Sequence, residues 1–434
     1  MSPRVPGPRL PPLASFRFAT DPYAFFAGCK RRYGDPFGFR LGKRFLVVTG
    51  EPELARVVFT VDPDATAAFS PENLAPLIGA HSLIILSGAR HRRERKLLTP
   101  PFHGARMRSY GALIRESALR HAAAWQVGRP FVMQRTSQAI SIDVILRAVF
   151  GLTDPGRIAA FEAAMIGVLE SLHPALIFAR SLHRDLGPLT PYRRFARARA
   201  RAEALTRAEL AARRERPGGD DILSLMLAAR DEDGNGLGDD EMVDELHTLV
   251  FAGHETTAIA LAWAFFWLLR HPAALGRLRE ELAALGDDPD PEAVAAAPYL
   301  DAVVHEVLRL WPIIPMAPRL LLRPLQLGPY TLEPGMSVAV GTTLIHEHPD
   351  LYPDPHAFRP ERFLERKFSP FEWVPFGGGH RRCIGAAFAL YEIKQVLAAL
   401  IPRYQLRLVR EDIRPRRRNL SLGPDNGVEL VRVA

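Results

Sequence analysis

The chain has 434 residues, of which 47% are hydrophobic and 24% charged, as is ordinary for a globular protein with a sizeable core. Its 56 Lys and Arg residues outnumber its 48 Asp and Glu residues, but they are scattered and match no zinc-finger or RNA-binding signature, so we expect no nucleic-acid partner. The two cysteines, Cys29 and Cys383, are too far apart for a disulfide framework, which predicts a reducing, cytoplasmic compartment.

The first elements along the chain are rich in proline and glycine. Prolines at positions 3, 6, 8, 11 and 12 predict a proline-rich arm over residues 1–15 and argue against a signal peptide or membrane anchor there. Residues 34–50 alternate and contain glycines, which predicts a β-hairpin. From residue 88 to about 270 the pattern is mainly helical. We see no repeat or linker, so we expect residues 1–434 to form one domain that is mainly α with a minor β part.

The longest predicted helix covers residues 239–270 and would be about 48 Å long at 1.5 Å per residue. Its centre reads A-G-H-E-T-T, which puts the small side chains of Ala252 and Thr256 on one face, where a flat cofactor and a diatomic ligand can approach the backbone. The Thr256 hydroxyl can bond back to the carbonyl of Ala252. Glu255 beside Thr256 is typical of a proton-delivery pair, and a polar packing kink is the alternative.

Two charged residues stand in an apolar helical stretch further along the chain. Glu306 and Arg309 lie three residues apart in E-V-L-R, and their apolar neighbours predict that the pair is buried. A buried ion pair recruits further partners, and Arg362 in F-R-P-E-R-F is the candidate third member. On the surface the same pair would be worth only about 0.3–0.5 kcal/mol. Residues 324–342 and 404–432 then predict short strands.

The most informative segment is F-G-G-G-H-R-R-C-I-G, residues 376–385. Its glycines allow positive φ angles and let the backbone pass close to a flat ligand. Basic neighbours favour the thiolate of Cys383, and the helical pattern that follows would put this thiolate near a positive helix end. This is the setting that a cysteine needs to serve as the single protein ligand of a haem iron. A glycine turn before a helix with a buried free cysteine is the alternative.

These three motifs, in this order and spacing, resemble the cytochrome P-450 family of haem-thiolate monooxygenases over essentially the whole chain. The cysteine segment fits the family pattern F-x-x-G-x-basic-x-C-x-G at every fixed position, namely Phe376, Gly379, Arg381, Cys383 and Gly385. The resemblance implies the P-450 fold, in which the long helix lies over the haem and the cysteine loop lies beneath it. It also implies haem b as the cofactor, Cys383 as its iron ligand and a structural lock between Glu306 and the two arginines.

The resemblance extends to residues around the haem. Four basic residues are predicted to contact the propionates: His91, Arg95, Arg319 and Arg381. His91 and Arg95 share one helical face, for which a solvated basic surface is the alternative. The other predicted cofactor contacts lie within the motifs and are Ala252, Phe376, Gly377, Ile384 and Gly385.

The activity that the resemblance implies is hydroxylation or epoxidation of an apolar small molecule with O2 and two electrons. Thr256 would position the O2, Glu255 would pass protons through water, and a separate ferredoxin or flavodoxin with an NAD(P)H-dependent reductase would supply the electrons. Arg92, Lys96 and Arg382 are predicted to form a basic docking face for this acidic partner. A peroxide-driven or isomerising enzyme and a haem-binding sensor are the alternatives, and the Glu255–Thr256 pair argues against both. We expect a monomer.

The predicted substrate pocket is lined almost entirely by aliphatic side chains: Leu83, Ile84, Leu249, Val250, Ile313, Ile314, Met316, Leu420 and Leu422. Such a lining favours an apolar substrate and discriminates weakly, by ~1–3 kcal/mol per methylene. We expect several substrates, with terpenoids or steroids first, because we see no dedicated cation for the carboxylate of a fatty acid. Fatty acids are the alternative, because Arg40, Lys43 and Arg44 near the early hairpin could bind a carboxylate.

Overall fold

Helices form the larger part of the computed structural model, which describes residues 4–102, 106–172, 176, 182–183, 187 and 190–433. The helices are α1 (Pro11–Thr20), α2 (Pro22–Tyr33), α3 (Pro52–Thr60), α4 (Pro71–Ile78), α5 (Gly88–Leu98), α6 (Arg106–Ala122), α7 (Met133–Phe150), α8 (Pro155–Ser171), α9 (Pro191–Glu215), α10 (Ile222–Ala228), α11 (Asp239–Arg270), α12 (Pro272–Ala284), α13 (Pro291–Ala296), α14 (Pro298–Leu310), α15 (Thr342–His346), α16 (Arg362–Glu365) and α17 (Ala386–Leu400). The predicted fold class, mainly α with a minor β part, is confirmed.

The proline-rich arm is shorter in the structure than the sequence predicts, because α1 begins at Pro11. Pro11 and Pro12 occupy the first turn of α1, where a fixed φ suits the helix and a missing N–H breaks no hydrogen bond. The predicted arm of residues 1–15 therefore overlaps the first half of α1. Helix α2 follows directly, and its capping residue Asp21 accepts a 3.0 Å hydrogen bond from the backbone N–H of Ala24.

The strands of the described residues form one five-stranded sheet and three smaller sheets. They are β1 (Phe37–Leu41), β2 (Arg44–Thr49), β3 (Thr66–Ala67), β4 (Pro130–Val132), β5 (Met316–Leu321), β6 (Leu325–Leu327), β7 (Tyr330–Leu332), β8 (Ser337–Gly341), β9 (Leu406–Leu408), β10 (Pro415–Arg418), β11 (Ser421–Pro424) and β12 (Glu429–Arg432). The large sheet has the order β1-β2-β8-β5-β3, in which only β2 and β8 run parallel. The smaller sheets are β4-β12-β9, β6-β7 and β10-β11.

Each predicted strand region contains strands. The hairpin expected over residues 34–50 corresponds to β1 and β2, in which Phe37 lies opposite Val48. Residues 324–342 contain β6, β7 and β8, and residues 404–432 contain β9 to β12. The minor β part therefore combines the early hairpin and segments from the last third of the chain with two short strands, β3 and β4, that the sequence did not predict.

Helix α11 has the bounds that the sequence predicts, Asp239–Arg270. Trp263, Phe265 and Phe266 in its second half are at most 1% exposed, so α11 runs through the core. It is long and apolar enough to cross a membrane, but 67% of its most apolar window is buried inside the protein, as in a core helix. It packs against α7, α14 and α17 and against strand β11.

A separate aromatic cluster holds the N-terminal helices against the large sheet. Phe18 of α1, Phe25 and Phe26 of α2, and Phe37 and Phe39 of β1 form it. All five rings are at most 5% exposed, and those of Phe25 and Phe39 meet edge to face with centroids 4.9 Å apart. Edge-to-face contacts add to the free energy gained by burying the rings. The cluster therefore fixes α1 and α2 on the hairpin.

Candidate functional site

The cysteine loop is a tight turn between the large sheet and α17. The backbone N–H of Cys383 donates a 2.9 Å hydrogen bond to the carbonyl oxygen of Phe376 and closes the loop. Gly377 and Gly379 have φ angles of +65° and +63°, in the region that favours glycine. A Cβ atom on Gly379 would lie 1.9 Å from the carbonyl oxygen of Phe59 in α3. The sequence predicts close approach to a ligand here, and the structure adds close approach to α3.

The thiol of Cys383 lies two residues before the first turn of α17, whose N-cap is Gly385. The side chain of Cys383 has accessible surface. The protein atoms packed around it nevertheless desolvate the thiol and raise its pKa. The N–H of Gly385 and the guanidinium groups of Arg95 and Arg382 lower this pKa, but desolvation outweighs them. The basic neighbours thus act on the thiol in the direction that the sequence predicts. A metal cation would stabilise the thiolate.

Four basic side chains and a second histidine converge beside the loop. His91 and Arg95 come from α5, Arg319 comes from β5, and Arg381 comes from the loop itself. The ring of His380, which the sequence analysis missed, lies with its centroid 5.9 Å from that of His91. Desolvation and the neighbouring guanidinium groups lower the pKa of His91 to about 3, of Arg319 to about 9 and of Arg381 to about 10.

Within the described residues, no carboxylate pairs with the arginines of this cationic cluster. Arg319 donates a 2.8 Å hydrogen bond to the carbonyl oxygen of Gly378, and Arg381 donates a 2.6 Å bond to that of Leu86. The Nε atoms of both arginines are buried without a partner. Within the part of the chain that the structure describes, neither arginine forms an ion pair with a carboxylate. The two propionates of haem b carry the missing charge, so these residues fit that cofactor.

The midpoint of α11 carries accessible surface although the helix runs through the core. Ala252 is exposed and Thr256 is half-buried, and both lie on one side of the helix. The Thr256 hydroxyl donates a 2.7 Å hydrogen bond to the carbonyl oxygen of Ala252, with the geometry that the sequence predicts. Small side chains at an exposed point of a core helix mark the wall of an internal space. A Cβ atom on Gly385 would likewise meet nothing within 4 Å.

The carboxylate of Glu255 is held by two glutamines of α7. Gln138 donates a 2.8 Å hydrogen bond to it and Gln134 a 3.2 Å bond. These glutamines lie more than a hundred residues earlier in the chain, and no sequence signal connects them to Glu255. The structure therefore directs Glu255 toward α7, whereas the Thr256 hydroxyl bonds to its own helix.

Glu306 is the centre of a buried ionic network. Its carboxylate lies 2.6 Å from Nε of Arg309 and 3.0 Å from Nε of Arg362, and the three residues are at most 4% exposed. It also accepts a 2.9 Å hydrogen bond from the backbone N–H of Arg359, while Arg309 donates to the carbonyl of His346 at 2.9 Å. Multiple partners offset the desolvation of buried charges. The network ties α14 to the segment that leads to the cysteine loop.

An apolar cavity lies between α4, α8, α9 and α11. Val250 and Phe251 of α11 line it, with Arg199 and His247 as its polar members. Leu420 packs against the same apolar cluster. Phe251 is absent from the predicted pocket residues, although it stands directly before the A-G-H-E-T-T motif.

Four further predicted pocket residues lie near β11 or near the cationic cluster. The backbone N–H of Leu422 donates a 2.9 Å hydrogen bond to the carbonyl of Ile313, which joins β11 to the segment before β5. Ile314 is 37% exposed and Ile84 is 40% exposed. The carbonyl of Ile84 also faces the guanidinium group of Arg381, so this residue lies beside the cationic cluster.

The last three predicted pocket residues lie in two different clusters. Leu83 belongs to the main core together with Val250 and Ile313, and Leu249 packs against it. Met316 belongs instead to the N-terminal aromatic cluster. The structure therefore does not bring Met316 together with the other predicted pocket residues, because its place at the start of β5 turns it toward α1 and α2.

Matches to known proteins agree with this geometry. Residues 2–428 match the family described as cytochrome P-450. The chain belongs to the cytochrome P-450 family. This P-450 is therefore a haem b-binding monooxygenase, and the predicted family, fold, enzyme class and cofactor are confirmed.

Relatives cover nearly the whole P-450 chain. Cytochrome P-450 137 of Mycobacterium tuberculosis is 35% identical over 98% of this chain and 90% of its own length. Cytochrome P-450 138 of the same organism is 36% identical over 94% of this chain and 90% of its own length. A solved structure titled retinoic acid-bound cyanobacterial CYP120A1 is 28% identical, with a TM-score of 0.86 over 100% of this chain and 99% of that one.

The predicted basic docking face of this P-450 is largely paired with acids. Arg92 lies 2.6 Å from Asp64, and Lys96 lies 2.5 Å from Glu232. Arg382 is exposed on the cysteine loop and forms no ion pair with a described carboxylate. Arg92 and Lys96 therefore have exposed acidic neighbours from other segments, whereas Arg382 has none among the described residues. The docking face itself stays a prediction.

Proposed function

We propose that this P-450 oxidises an isoprenoid, a terpenoid or a steroid, at a position without a charged group nearby. The observation that carries the proposal is the apolar cavity wall along α11, where Val250 and Phe251 stand just before the open face of the helix. The charged residue at the cavity is already neutralised, because Arg199 lies 2.6 Å from Glu203 and 3.2 Å from Asp244. An uncharged substrate suits such a wall.

The solved relative supports this substrate class. It is described as bound to retinoic acid, an isoprenoid with a long apolar body and a carboxylate at one end. That molecule supports the isoprenoid skeleton, while its carboxylate is shared with the fatty-acid alternative. The fatty-acid alternative is weaker in the structure. Arg44, one of the cations that kept it open, lies 2.9 Å from Glu72 and so has an acidic partner already. Arg40 and Lys43 are the exposed cations that remain.

Each residue of the site has a role in the proposed reaction. When bound, the haem supplies the activation of O2 and the transfer of one oxygen atom to carbon. Cys383 is the iron ligand, held in place by its loop hydrogen bond to Phe376. The hydroxyl of Thr256 presents a hydrogen-bonding group at the open face of α11.

Glu255 is the proposed proton carrier, and its position defines what it must do. The amide groups of Gln134 and Gln138 hold its carboxylate by hydrogen bonds of 3.2 and 2.8 Å. In the proposed role, Glu255 takes a proton from water and passes it on through water toward Thr256. The two glutamines set the orientation of its carboxylate.

The electrons are proposed to come from a separate ferredoxin or flavodoxin with its NAD(P)H-dependent reductase. The P-450 itself is proposed to be a cytoplasmic monomer. Arg382 is the proposed contact, since it is exposed beside Cys383 and its charge steers an acidic partner. Arg382→Ala is expected to slow reduction by a surrogate ferredoxin more than Lys96→Ala does. Equal rates of reduction in the two variants would remove Arg382 from the contact.

The first experiment is the carbon monoxide difference spectrum of the reduced protein, followed by titration with terpenes, steroids and fatty acids. A thiolate-type Soret band is expected, together with a high-spin shift for isoprenoids only. A shift with fatty acids alone would overturn the substrate class. NADPH consumption with the surrogate ferredoxin then identifies a monooxygenase, which needs this supply of electrons. A peroxide-driven enzyme, an isomerising enzyme and a sensor do not need it.

A further inference from the structure

One side of α1 presents three large apolar side chains to solvent. Leu10, Leu13 and Phe16 are 65%, 52% and 65% exposed. They recur every three residues and so share one side of the helix. On the opposite side, Ala14 and Phe18 are each 3% exposed and pack into the aromatic cluster. The helix is therefore apolar on both sides, and only one of them is covered within the protein.

Exposed basic side chains surround this apolar face. Arg17 belongs to α1, and Arg9 lies two residues before its first residue, Pro11. The hydroxyl of Ser15 donates a 2.9 Å hydrogen bond to the carbonyl of Arg40, which places the hairpin turn with Lys43 beside α1. Among the described residues, none of these four cations forms an ion pair with a carboxylate. We call the apolar face and these four cations the α1 face.

The acidic group nearest in sequence does not neutralise the α1 face. Asp21 follows the last turn of α1, and its carboxylate accepts the N–H of Ala24 at the start of α2. One carboxylate among four exposed cations leaves the surface with a net positive charge.

We propose that the α1 face docks on the surface of an anionic lipid bilayer. The apolar side chains would enter the headgroup region, and the surrounding cations would contact lipid phosphates, which is how interfacial helices bind. The positive charge of the α1 face favours a lipid surface over a second copy of the chain. A second copy of this basic chain would bring the same cations together, whereas an anionic lipid surface complements both the apolar and the basic part. At ten residues, α1 lies on a membrane and cannot cross it, since crossing takes about 20 residues.

The α1 face lies close to the predicted substrate pocket. Helix α1 packs against β10, and β10 pairs with β11. In β11, the backbone of Leu422 is bonded to that of Ile313. An isoprenoid dissolved in the bilayer would thus have a short path to the pocket. This consequence rests on the proposed function, but the docking itself does not.

The test is co-sedimentation of the full haem-loaded chain with vesicles of phosphatidylcholine alone or mixed with phosphatidylserine. Binding is expected to the mixed vesicles only and to weaken with added salt. The double variant Leu13→Ser/Phe16→Ser should lower the partition coefficient by about tenfold or more. Arg9→Glu/Arg17→Glu should remove the preference for phosphatidylserine. The matched control is Leu322→Ser/Val409→Ser, at sites that are 51% and 45% exposed elsewhere, and it should bind as the parent does.

Three outcomes would overturn the proposal. They are no sedimentation with mixed vesicles, unchanged sedimentation of the Leu13→Ser/Phe16→Ser variant, and a dimer in size-exclusion chromatography that this variant alone loses. Haem absorbance of each variant shows that it is folded. Because the assay contains no substrate, its result is independent of the proposed function.

Discussion

The guanidinium group of Arg95 donates a 2.7 Å hydrogen bond to the carbonyl oxygen of Arg382, the residue before Cys383. This bond holds α5 against the cysteine loop. Arg95 also contributes to the positive charge around His91. One side chain of α5 thus acts on both the loop that carries the thiol and the proposed propionate site.

Replacing Arg95 with Ala is expected to weaken haem retention, because the loop loses a bond and the cationic cluster loses a charge. The ratio of Soret to protein absorbance after desalting measures it. Arg92→Ala is the matched control, since Arg92 lies on the same helix but pairs with the exposed Asp64. Equal haem content in the two variants would contradict the role of Arg95.

Replacing Gly379 with Ala is expected to disrupt the cysteine loop. At φ +63° the new Cβ atom would also lie 1.9 Å from the carbonyl oxygen of Phe59, so α3 or the loop has to move. Gly286→Ala is the control, with φ +88° and nothing within 4 Å, and should cost only about 1 kcal/mol. Thermal unfolding and haem content report both effects. Similar losses in both variants would mean that the destabilisation comes from backbone strain at positive φ and not from contact with α3.

His346 is expected to make stability fall in acid. Its Nδ1 atom bonds the carbonyl of Arg309 at 3.0 Å, and its Nε2 atom accepts the N–H of Val374 at 2.9 Å. Burial and the Arg309 guanidinium lower the pKa of His346 to about 3 from its ordinary value of 6.5. The unfolded state therefore binds the proton more readily between these values, so stability is lost as the pH falls below 6.5.

The expected loss from His346 between pH 7 and pH 5 is about 2 kcal/mol. Urea unfolding at the two pH values measures it. His346→Asn keeps a donor and an acceptor but cannot titrate, so it should be less stable at pH 7 and show a smaller loss on acidification. An equal loss in the variant would assign the pH dependence to other groups.

Replacing Arg362 with Ala is expected to destabilise the protein by ~3–5 kcal/mol, because it leaves the buried charge of Glu306 with one partner fewer. Arg359→Ala is the control. Its side chain pairs with the half-exposed Glu365, and the expected loss is ~0–1 kcal/mol. Denaturant unfolding followed by circular dichroism compares them, and a small loss in both would show that the network contributes little.

Replacing Thr256 with Ala is expected to uncouple reduction from product formation. NADPH consumption should continue while peroxide replaces much of the product, because the open face of α11 loses its hydroxyl. Thr256→Ser restores the hydroxyl and should restore the yield of product per NADPH. If the Ala variant stays fully coupled, Thr256 does not have the proposed role.

Local signals were sufficient for several parts of this molecule. The bounds of α11 follow from an uninterrupted helical pattern. The burial of Glu306 with Arg309 follows from the apolar residues on both sides of the pair. The participation of Arg362 follows because a buried carboxylate needs further donors. In each case the residues that decide the structure stand next to one another or belong to a short motif.

The missed contacts are those that only the fold creates. Gln134 and Gln138 meet Glu255 because α7 packs along α11, and nothing in their own neighbourhood indicates it. Lys96 is paired because Glu232 stands in a loop that returns to α5. The chemistry of a single residue predicts that its charged or polar group needs a hydrogen-bond or ion-pair partner. Which residue becomes that partner depends on packing between distant segments.

The parallel pair of β2 and β8 has a consequence for the growing chain. Leu46 of β2 is paired with Ser337 of β8, so the inner edge of the early hairpin meets its partner only when most of the chain has been synthesised. Until then β2 presents unpaired N–H and C=O groups, which makes it a template for wrong strand partners. Contacts so distant in sequence also slow folding. A ribosome-bound chain that stops short of β8 thus carries an open strand edge, and the last third of the protein is what closes it.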